Sequence, residues 1–263
     1  MNINKMGSLA IVNRLNDVQA SQDKSVAKLA SGKRINSASD GPTEMALSMN
    51  LETLIRSLTG QISNRQNEIS MMQTSEGAMS TTSEMLQRIN ELAIQAANGT
   101  LTDDDRNAIQ QEISQLREQV NMNASNAEFN GKKLLNGSLD IQLQNGQQFS
   151  LNALNSKNLG LDSLDVTTVQ GAQNVMALSQ AAIEKVTSER ARVGSVSNGI
   201  SSEVQALNDQ MVNSMASLSK IADTDMAYEV LNNANAQIQA NAAAQVFKSD
   251  NAMRGRVLQL LGL

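Results

Sequence analysis

Two groups of aspartates are the candidates for a ligand-binding site in this sequence. The aspartates at 103–105 follow Thr102, and Asp223 and Asp225 lie two residues apart. Carboxylates this close could bind a divalent cation. They equally suit the start of a helix, where side-chain oxygens accept hydrogen bonds from free N–H groups and negative charge opposes the helix dipole. Because apolar periodic runs follow both groups, the sequence favours helix capping.

The side chains most used for nucleophilic and zinc chemistry are missing from this sequence. The chain has no His and no Cys, which excludes Ser-His-Asp and Cys-His arrangements, the usual zinc sites and disulfides. Lys33 after Gly32 is not a phosphate loop, because Ala27 stands where that motif needs its first glycine. The sequence therefore predicts no enzyme activity, no catalytic residue, no metal and no cofactor.

The amino-acid composition narrows the possible fold classes and partners further. The chain has 263 residues, of which 40% are hydrophobic but only 2% aromatic, with 14 Met. Such a core suits helix-on-helix packing. No run of 18 apolar residues exists, so no membrane insertion is predicted. The net charge of −5 argues against nucleic-acid binding, and the N-terminal residues lack the pattern of a Sec-type signal.

One long helix organises the rest of the chain. Side chains from residue 55 to 93 recur at alternating steps of three and four, which keeps them on one face of a helix with about 3.5 residues per turn. A second run of these steps, over 189–221, supplies a partner. The two stripes are Ile55, Leu58, Ile62, Arg65, Ile69, Met72, Glu76, Met79, Ser83, Leu86, Asn90 and Ala93, and Glu189, Val193, Val196, Ile200, Glu203, Leu207, Met211, Ser214, Leu218 and Ile221. The predicted fold is mainly α, an elongated antiparallel helical bundle or coiled coil of long rods with a small β-hairpin.

Turn-forming residues predict where the helices begin and end. Ser31-Gly32 ends the first helix, and Pro42 lies in a joint over 33–43. Asn98-Gly99 suits a left-handed C-cap of the first long helix. The predicted helices cover about 3–31, 44–97, 102–126, 172–221 and 225–260.

Residues 139–151 switch to a period of two around Asn145-Gly146, which is typical of a hairpin. A two-residue loop would set Leu143 opposite Gln148. A three-residue loop over 145–147 instead pairs large apolar residues with one another, so we predict that register. It sets Leu143 opposite Phe149 and Ile141 opposite Leu151.

The two terminal helices are amphipathic but carry few large apolar side chains, so neither is expected to be ordered without neighbours. The apolar C-terminal tail would also leave exposed apolar surface in a monomer. This layout predicts a subunit that polymerises through its termini. The predicted subunit-packing residues are Leu15, Val18, Val26, Leu29, Leu231, Ile238, Val257, Leu258, Leu260 and Leu261.

Several long motifs, in order and spanning nearly the whole chain, resemble bacterial flagellin. They are LASGKRINSASD (29–40), ISMMQTSEGAM (69–79), LQRINELAIQAANGT (86–100), EFNG (128–131), ADTDMA (222–227) and VLQLL (257–261). The variable outer domains of many flagellins are absent, so the chain resembles a minimal type. One departure is Gly41-Pro42-Thr43-Glu44, where the family commonly has Asp-Ala-Ala-Gly.

The resemblance implies a structural subunit of the flagellar filament, exported unfolded through the type III channel and self-assembling outside the cell into a helical tube for motility. Residues 1–40 and 223–263 would form the inner layer, and residues 44–221 the outer rod bundle. The implied partners are other flagellin subunits, the flagellar cap, hook-associated junction proteins and an export chaperone.

The resemblance also implies an epitope for a vertebrate Toll-like receptor at Arg88, Leu92 and Glu112. Arg88 and Leu92 are four residues apart and share a helix face, although such positions also make bundle and subunit contacts. Two other functions stay open. A hook–filament junction protein shares the terminal helices but does not elongate, and a soluble coiled-coil adaptor would have ordered termini and form no polymer.

Overall fold

The computed structural model describes residues 3–142 and 148–260, without the side chains of 3–8, 142, 254, 255 and 257–260. The mainly α class is confirmed. The helices are α1 (Ile3–Ser31), α2 (Pro42–Ala96), α3 (Asp103–Asn126), α4 (Ser156–Leu159), α5 (Val169–Ala222) and α6 (Met226–Leu260). The strands are β1 (Glu128–Phe129), β2 (Lys132–Lys133), β3 (Asp140–Gln142) and β4 (Gln148–Ser150).

The chain divides into two compact units, each described here by itself. The terminal unit comprises Met1–Thr59 and Asp209–Leu263, and the central unit comprises Gly60–Asn208. From the sequence we predict an inner layer of residues 1–40 and 223–263 and an outer rod bundle of residues 44–221. The two compact units have other boundaries, so the division into these layers remains a prediction.

In the central unit α2 packs antiparallel against α5, and α3 and residues 134–166 complete the hydrophobic core. Every position of the two predicted stripes is buried or half-buried. Polar stripe residues meet polar partners across this seam, which fixes its register: Arg65 Nε lies 3.3 Å from a Glu203 carboxylate oxygen, and Ser179 donates a hydrogen bond of 3.0 Å to Asn90. The Ser179–Asn90 hydrogen bond lowers the cost of burying these two polar side chains. The Glu203 oxygen has no hydrogen-bond partner among the described residues, so its contact with Arg65 is an electrostatic attraction alone.

The helix starts follow the predicted capping. The Thr102 hydroxyl accepts a hydrogen bond from the Asp105 N–H, and the Asp105 carboxylate accepts from the Thr102 N–H, which makes a capping box. Pro42 is the first residue of α2, two residues before the predicted start, because its fixed φ suits the first helical turn.

Asp105 provides a pH-dependent prediction. Hydrogen bonds from the hydroxyl and N–H of Thr102 lower the pKa of Asp105. A lowered pKa stabilises the fold above the pKa of the unfolded chain, and this contribution is lost as the pH falls through the folded value. We therefore expect Asp105→Ala to lower the free energy of unfolding at pH 7 but not well below the ordinary aspartate pKa of about 4.

Urea unfolding of both proteins from pH 7 to pH 2 measures this convergence. Asp104→Ala, which leaves the Thr102–Asp105 capping box in place, is the matched control. An Asp105→Ala deficit that stays constant down to pH 2 would contradict the role of the carboxylate.

The predicted C-cap of α2 is wrong. Among the described residues, positive φ angles outside glycine occur only at Asn130, and Gly99 is not among the glycines with positive φ. Instead, the buried Arg106 guanidinium donates hydrogen bonds to the carbonyl oxygens of Ala96 (3.3 Å), Asn98 (3.0 Å) and Leu101 (2.9 Å). A side chain from the next helix therefore binds the last carbonyl of α2 and two carbonyls of the connection that follows it.

The hairpin exists, but its predicted register is wrong. Ile141 pairs with Phe149, and Asp140 pairs with Ser150, whereas both registers considered from the sequence placed Phe149 or Gln148 opposite Leu143. Leu143 and residues 144–147 lie outside the described residues. The shift is two residues from the preferred register, so the apolar face is unchanged: Ile141, Phe149 and Leu151 are all buried.

The described residues contain neither a membrane-spanning helix nor a cluster of metal-binding side chains. None of the helices described combines the length and hydropathy needed to cross a membrane. In the same part of the chain, no three acidic side chains come together in a way that could hold a metal ion.

Candidate subunit-packing surface

In the terminal unit, α1 packs antiparallel against α6. Val18 and Ala236 are buried in this seam, and Leu15 and Leu29 are half-buried. Beside them the Ser25 hydroxyl donates a hydrogen bond of 2.6 Å to the Glu229 carboxylate, with both side chains buried. A buried polar pair of this kind favours one register of two helices over others.

The segment after α1 is tied to the joint between α5 and α6. The Arg34 N–H donates to the Ala222 carbonyl at 2.7 Å, and the Thr224 N–H donates to the Gly32 carbonyl at 3.0 Å. The Arg34 guanidinium also donates to the Ile221 carbonyl at 2.7 Å, at the C-terminus of α5. Gly32 has φ +67°, which a residue with a side chain rarely adopts. These bonds hold the adjoining ends of α1 and α6 together.

Two aspartates accept backbone hydrogen bonds near this joint, one at the start of α6 and one just before α2. Asp225 accepts a hydrogen bond from the Tyr228 N–H at 3.1 Å, as the predicted cap of α6 requires. Asp40 accepts from the N–H groups of Asn36 and Ser37, and these bonds lower the pKa of Asp40. The segment 36–40 is therefore closed into a turn just before α2.

Charges of opposite sign line the groove between α1 and α6. Arg14, Lys24 and Lys28 come from α1, and Asp225 and Glu229 come from the start of α6. This arrangement complements the charges of the two helices and adds to their pairing.

Exposed apolar side chains are concentrated in the terminal unit. Of the 18 exposed large hydrophobic side chains described, 14 belong to this unit, whereas only four of the 34 buried hydrophobic residues do. The 14 are Leu9, Val26, Leu47, Met49, Leu54, Val212, Met215, Met226, Tyr228, Val230, Leu231, Ile238, Val246 and Met253. The terminal unit of a single chain therefore leaves much of its apolar surface in water, which marks a surface for association.

The predicted packing residues divide into three groups. Val26, Leu231 and Ile238 are 48%, 62% and 65% exposed, so the chain itself leaves them uncovered. Leu15, Val18 and Leu29 lie in the seam within the chain. Val257, Leu258 and Leu260 are in the helical backbone of α6 without described side chains, and Leu261 lies outside the described residues.

Sequence reasoning missed Ser25, Glu229 and Arg34. Ser25 lies seven residues after Val18 and four before Leu29, so the spacing alone could have placed it in the seam. The partner of Arg34 is 187 residues away in the chain, and no local pattern indicates it.

The residues of the predicted receptor epitope lie in the central unit. The Arg88 guanidinium donates to the Glu112 carboxylate at 2.7 Å, and this bond raises the pKa of Arg88. Both side chains are about half exposed. Leu92 is only 2% exposed, because its face of α2 packs into the core, so it does not share the exposed face of Arg88.

Comparisons with known proteins extend over almost the whole chain. The model of the bacterial flagellin N-terminal helical region matches residues 3–140, and the model of the C-terminal helical region matches 176–261. The flagellar filament 30.7 kDa core protein of Treponema maltophilum is 32% identical over 99% of this chain and 100% of its own length.

Solved structures show similar folds. The crystal structure of Bacillus cereus flagellin is 28% identical, with a TM-score of 0.50 over 55% of this chain and 88% of its own. A putative flagellar hook-associated protein from Vibrio parahaemolyticus has a TM-score of 0.60 over 70% of this chain and 100% of its own, at 15% identity. At that identity the second likeness concerns the fold alone.

Proposed function

This chain belongs to the bacterial flagellin family, and we propose that it polymerises through the exposed apolar side chains of its terminal unit. The chain is a structural subunit of the flagellar filament, outside the cell, where it associates with other flagellin subunits. We propose no enzymatic activity beside this structural role. The observation that carries the proposed surface is the unequal distribution of apolar groups between the two units.

The physical argument compares what each unit buries. The central unit holds 30 of the 34 buried hydrophobic residues described and exposes only four large ones. The terminal unit holds only four of these buried residues and exposes 14 large hydrophobic side chains. Burial of an exposed Leu or Ile contributes about 1.5–3 kcal/mol, so association of terminal units stabilises both the helices and the polymer.

Ile238→Asp tests this surface. Ile238 is 65% exposed, so the substitution costs the isolated chain little, but in a polymer it would bury an unpaired carboxylate. We expect seeded elongation, followed by light scattering and negative-stain microscopy, to fall below detection.

The matched control is Gln237→Glu, which adds the same charge at the neighbouring exposed polar position. It should elongate as the unsubstituted chain does. Equal elongation by Ile238→Asp and Gln237→Glu would place the packing surface elsewhere.

The remaining partners follow from membership of the family. We propose export of the unfolded chain through the flagellar type III channel, with a chaperone holding it before export. Growth would then occur beneath the flagellar cap, starting from hook-associated junction proteins. The absence of Cys and the single Pro favour this passage, because neither disulfides nor several slow proline isomerisations would delay folding at the tip.

A hook–filament junction protein is the alternative within the same fold. The match at 15% identity supports this alternative only as a fold, whereas a filament core protein is 32% identical over almost the whole chain. Long filaments in the elongation experiment support the filament subunit; short rings would support the junction protein.

We also propose that the exposed Arg88–Glu112 ion pair contributes to recognition by a vertebrate Toll-like receptor. The pair places a positive and a negative charge side by side on the surface. Leu92 packs into the core on the buried side of α2. Arg88→Asp places two carboxylates together, so receptor signalling in a reporter cell should fall by about tenfold or more.

Arg56→Asp, at a side chain that is 84% exposed, is the control and should signal normally. Circular dichroism must show both variants folded. If Arg88→Asp signals as strongly as the control, the pair has no part in recognition.

A further inference from the structure

Methionine is almost the only easily oxidised side chain in this protein. The sequence contains 14 Met and one Tyr but no Cys, Trp or His. Thiols normally compete first for peroxides and hypohalous acids. In their absence, a two-electron oxidant that reaches this chain acts on thioether sulfur.

Exposure distinguishes a core group and an exposed group among the methionines whose side chains are described, and several others are half-buried. Met71, Met72 and Met79 lie in the core of the central unit, where they are at most 8% exposed. The exposed group within the terminal unit, here called the methionine set, consists of Met49 (58%), Met215 (52%), Met226 (47%) and Met253 (59%).

One further methionine shows that exposure is the distinguishing feature. Met211 also belongs to the terminal unit, but it is half-buried, and its sulfur accepts a hydrogen bond from the Thr59 hydroxyl at 3.7 Å. The methionine set, by contrast, lies among the exposed apolar side chains of the proposed packing surface, beside Leu47, Val212 and Val230 in the sequence.

We propose that the methionine set is an oxidant-sensitive modification site that controls assembly. The thioether sulfur attacks one oxygen of a peroxide, an S–O bond forms, and the O–O bond breaks. Sulfur loses two electrons, and with hydrogen peroxide the departing hydroxide takes the proton of the transferred oxygen and leaves as water. The product, methionine sulfoxide, is polar and is reducible by thiol-dependent methionine sulfoxide reductases.

The effect on assembly follows from the polarity of the sulfoxide. An apolar side chain that would be buried between subunits becomes a strong hydrogen-bond acceptor without a partner there. The core of the central unit is retained, because Met71, Met72 and Met79 are shielded there. This inference rests on the proposed packing surface and adds a reversible chemical control to it.

The experiment exposes purified full-length monomer to hydrogen peroxide, maps sulfoxides by peptide mass spectrometry and then measures seeded elongation. Sulfoxides should appear first at the methionine set and Met122, and the elongation rate should fall by about tenfold or more, since several buried acceptors lack partners. Treatment with reductases for both sulfoxide epimers should restore elongation.

Two variants locate the effect. A variant with Met49→Leu, Met215→Leu, Met226→Leu and Met253→Leu should keep elongating after peroxide. The control Met122→Leu removes an exposed methionine (49%) of the central unit and should stay as sensitive as the original chain. If the fourfold variant does not elongate even before peroxide, the proposal is tested by the oxidised original chain alone. Restored elongation after reductase treatment then supports the proposal, and no restoration overturns it.

The proposal is overturned if the oxidised chain elongates normally, if Met71, Met72 and Met79 oxidise first, or if reductases restore no elongation. It is also overturned if the fourfold variant elongates before peroxide but is as sensitive as the original chain. These outcomes are distinct from failure of the untreated chain to elongate, which would contradict the proposed function itself.

Discussion

A chain that lacks residues 225–263 should form no filaments under conditions in which the full chain elongates. The deletion removes α6, and with it Glu229, Ala236 and the exposed Leu231 and Ile238. Helix α1 then loses its partner, and an isolated helix of this composition does not offset the entropy of ordering its backbone, roughly 1–2 kcal/mol per residue. Both the surface for association and the fold that presents it are lost.

Negative-stain microscopy after addition of ammonium sulfate or filament seeds measures this. Circular dichroism provides the control, because the truncated chain retains Gly60–Asn208 and should still show helix and unfold cooperatively. Filaments of ordinary length from the truncated chain would show that polymerisation does not require α6.

The second large effect is expected at Arg106, in the central unit. Its guanidinium donates hydrogen bonds to three carbonyl oxygens at the end of α2 and in the α2–α3 connection, and the residue is 8% exposed. Arg106→Met keeps the apolar stem but removes every donor. Leaving buried carbonyls without partners costs about 1–3 kcal/mol each, and partial access of water to the loop lowers the sum. We expect the free energy of unfolding to fall by about 3 kcal/mol.

Urea unfolding followed by circular dichroism measures the change at pH 7. Arg117→Met is the matched control, since Arg117 lies on the same helix but donates one hydrogen bond, to the Asp162 carbonyl, and is less buried. Its effect should stay below about 1 kcal/mol. Equal losses in the two variants would show that the three-carbonyl contact of Arg106 contributes nothing special.

Polar residues within apolar stripes are informative in this protein. Arg65 and Glu203 occupy stripe positions and form an ion pair across the seam between α2 and α5. Ser25 and Glu229 likewise pair α1 with α6, by a hydrogen bond between their side chains. Apolar residues alone would permit sliding by a heptad, whereas each polar residue has a partner in only one register.

Features that depend on neighbours a few residues away could be predicted from the order of residues alone. The two stripes repeat every three or four residues, and the Thr102–Asp105 capping box is closed within one turn, so the long helices and their starts could be predicted. The family resemblance also rests on contiguous motifs. The alternation around Ile141 and Phe149 fixed which face is buried, because side-chain direction in a strand has a period of two.

Features that depend on residues distant in sequence follow from the packing of the folded chain. The hairpin register is set by packing of Ile141 and Phe149 into the core, and a shift of two residues leaves the alternation unchanged. Leu92 is buried because α2 is covered on that face, although its spacing from Arg88 allowed exposure. Arg106 replaces the glycine cap because its helix folds back to bring the guanidinium to the end of α2. These outcomes depend on which surfaces meet, and local spacing carries no information about that.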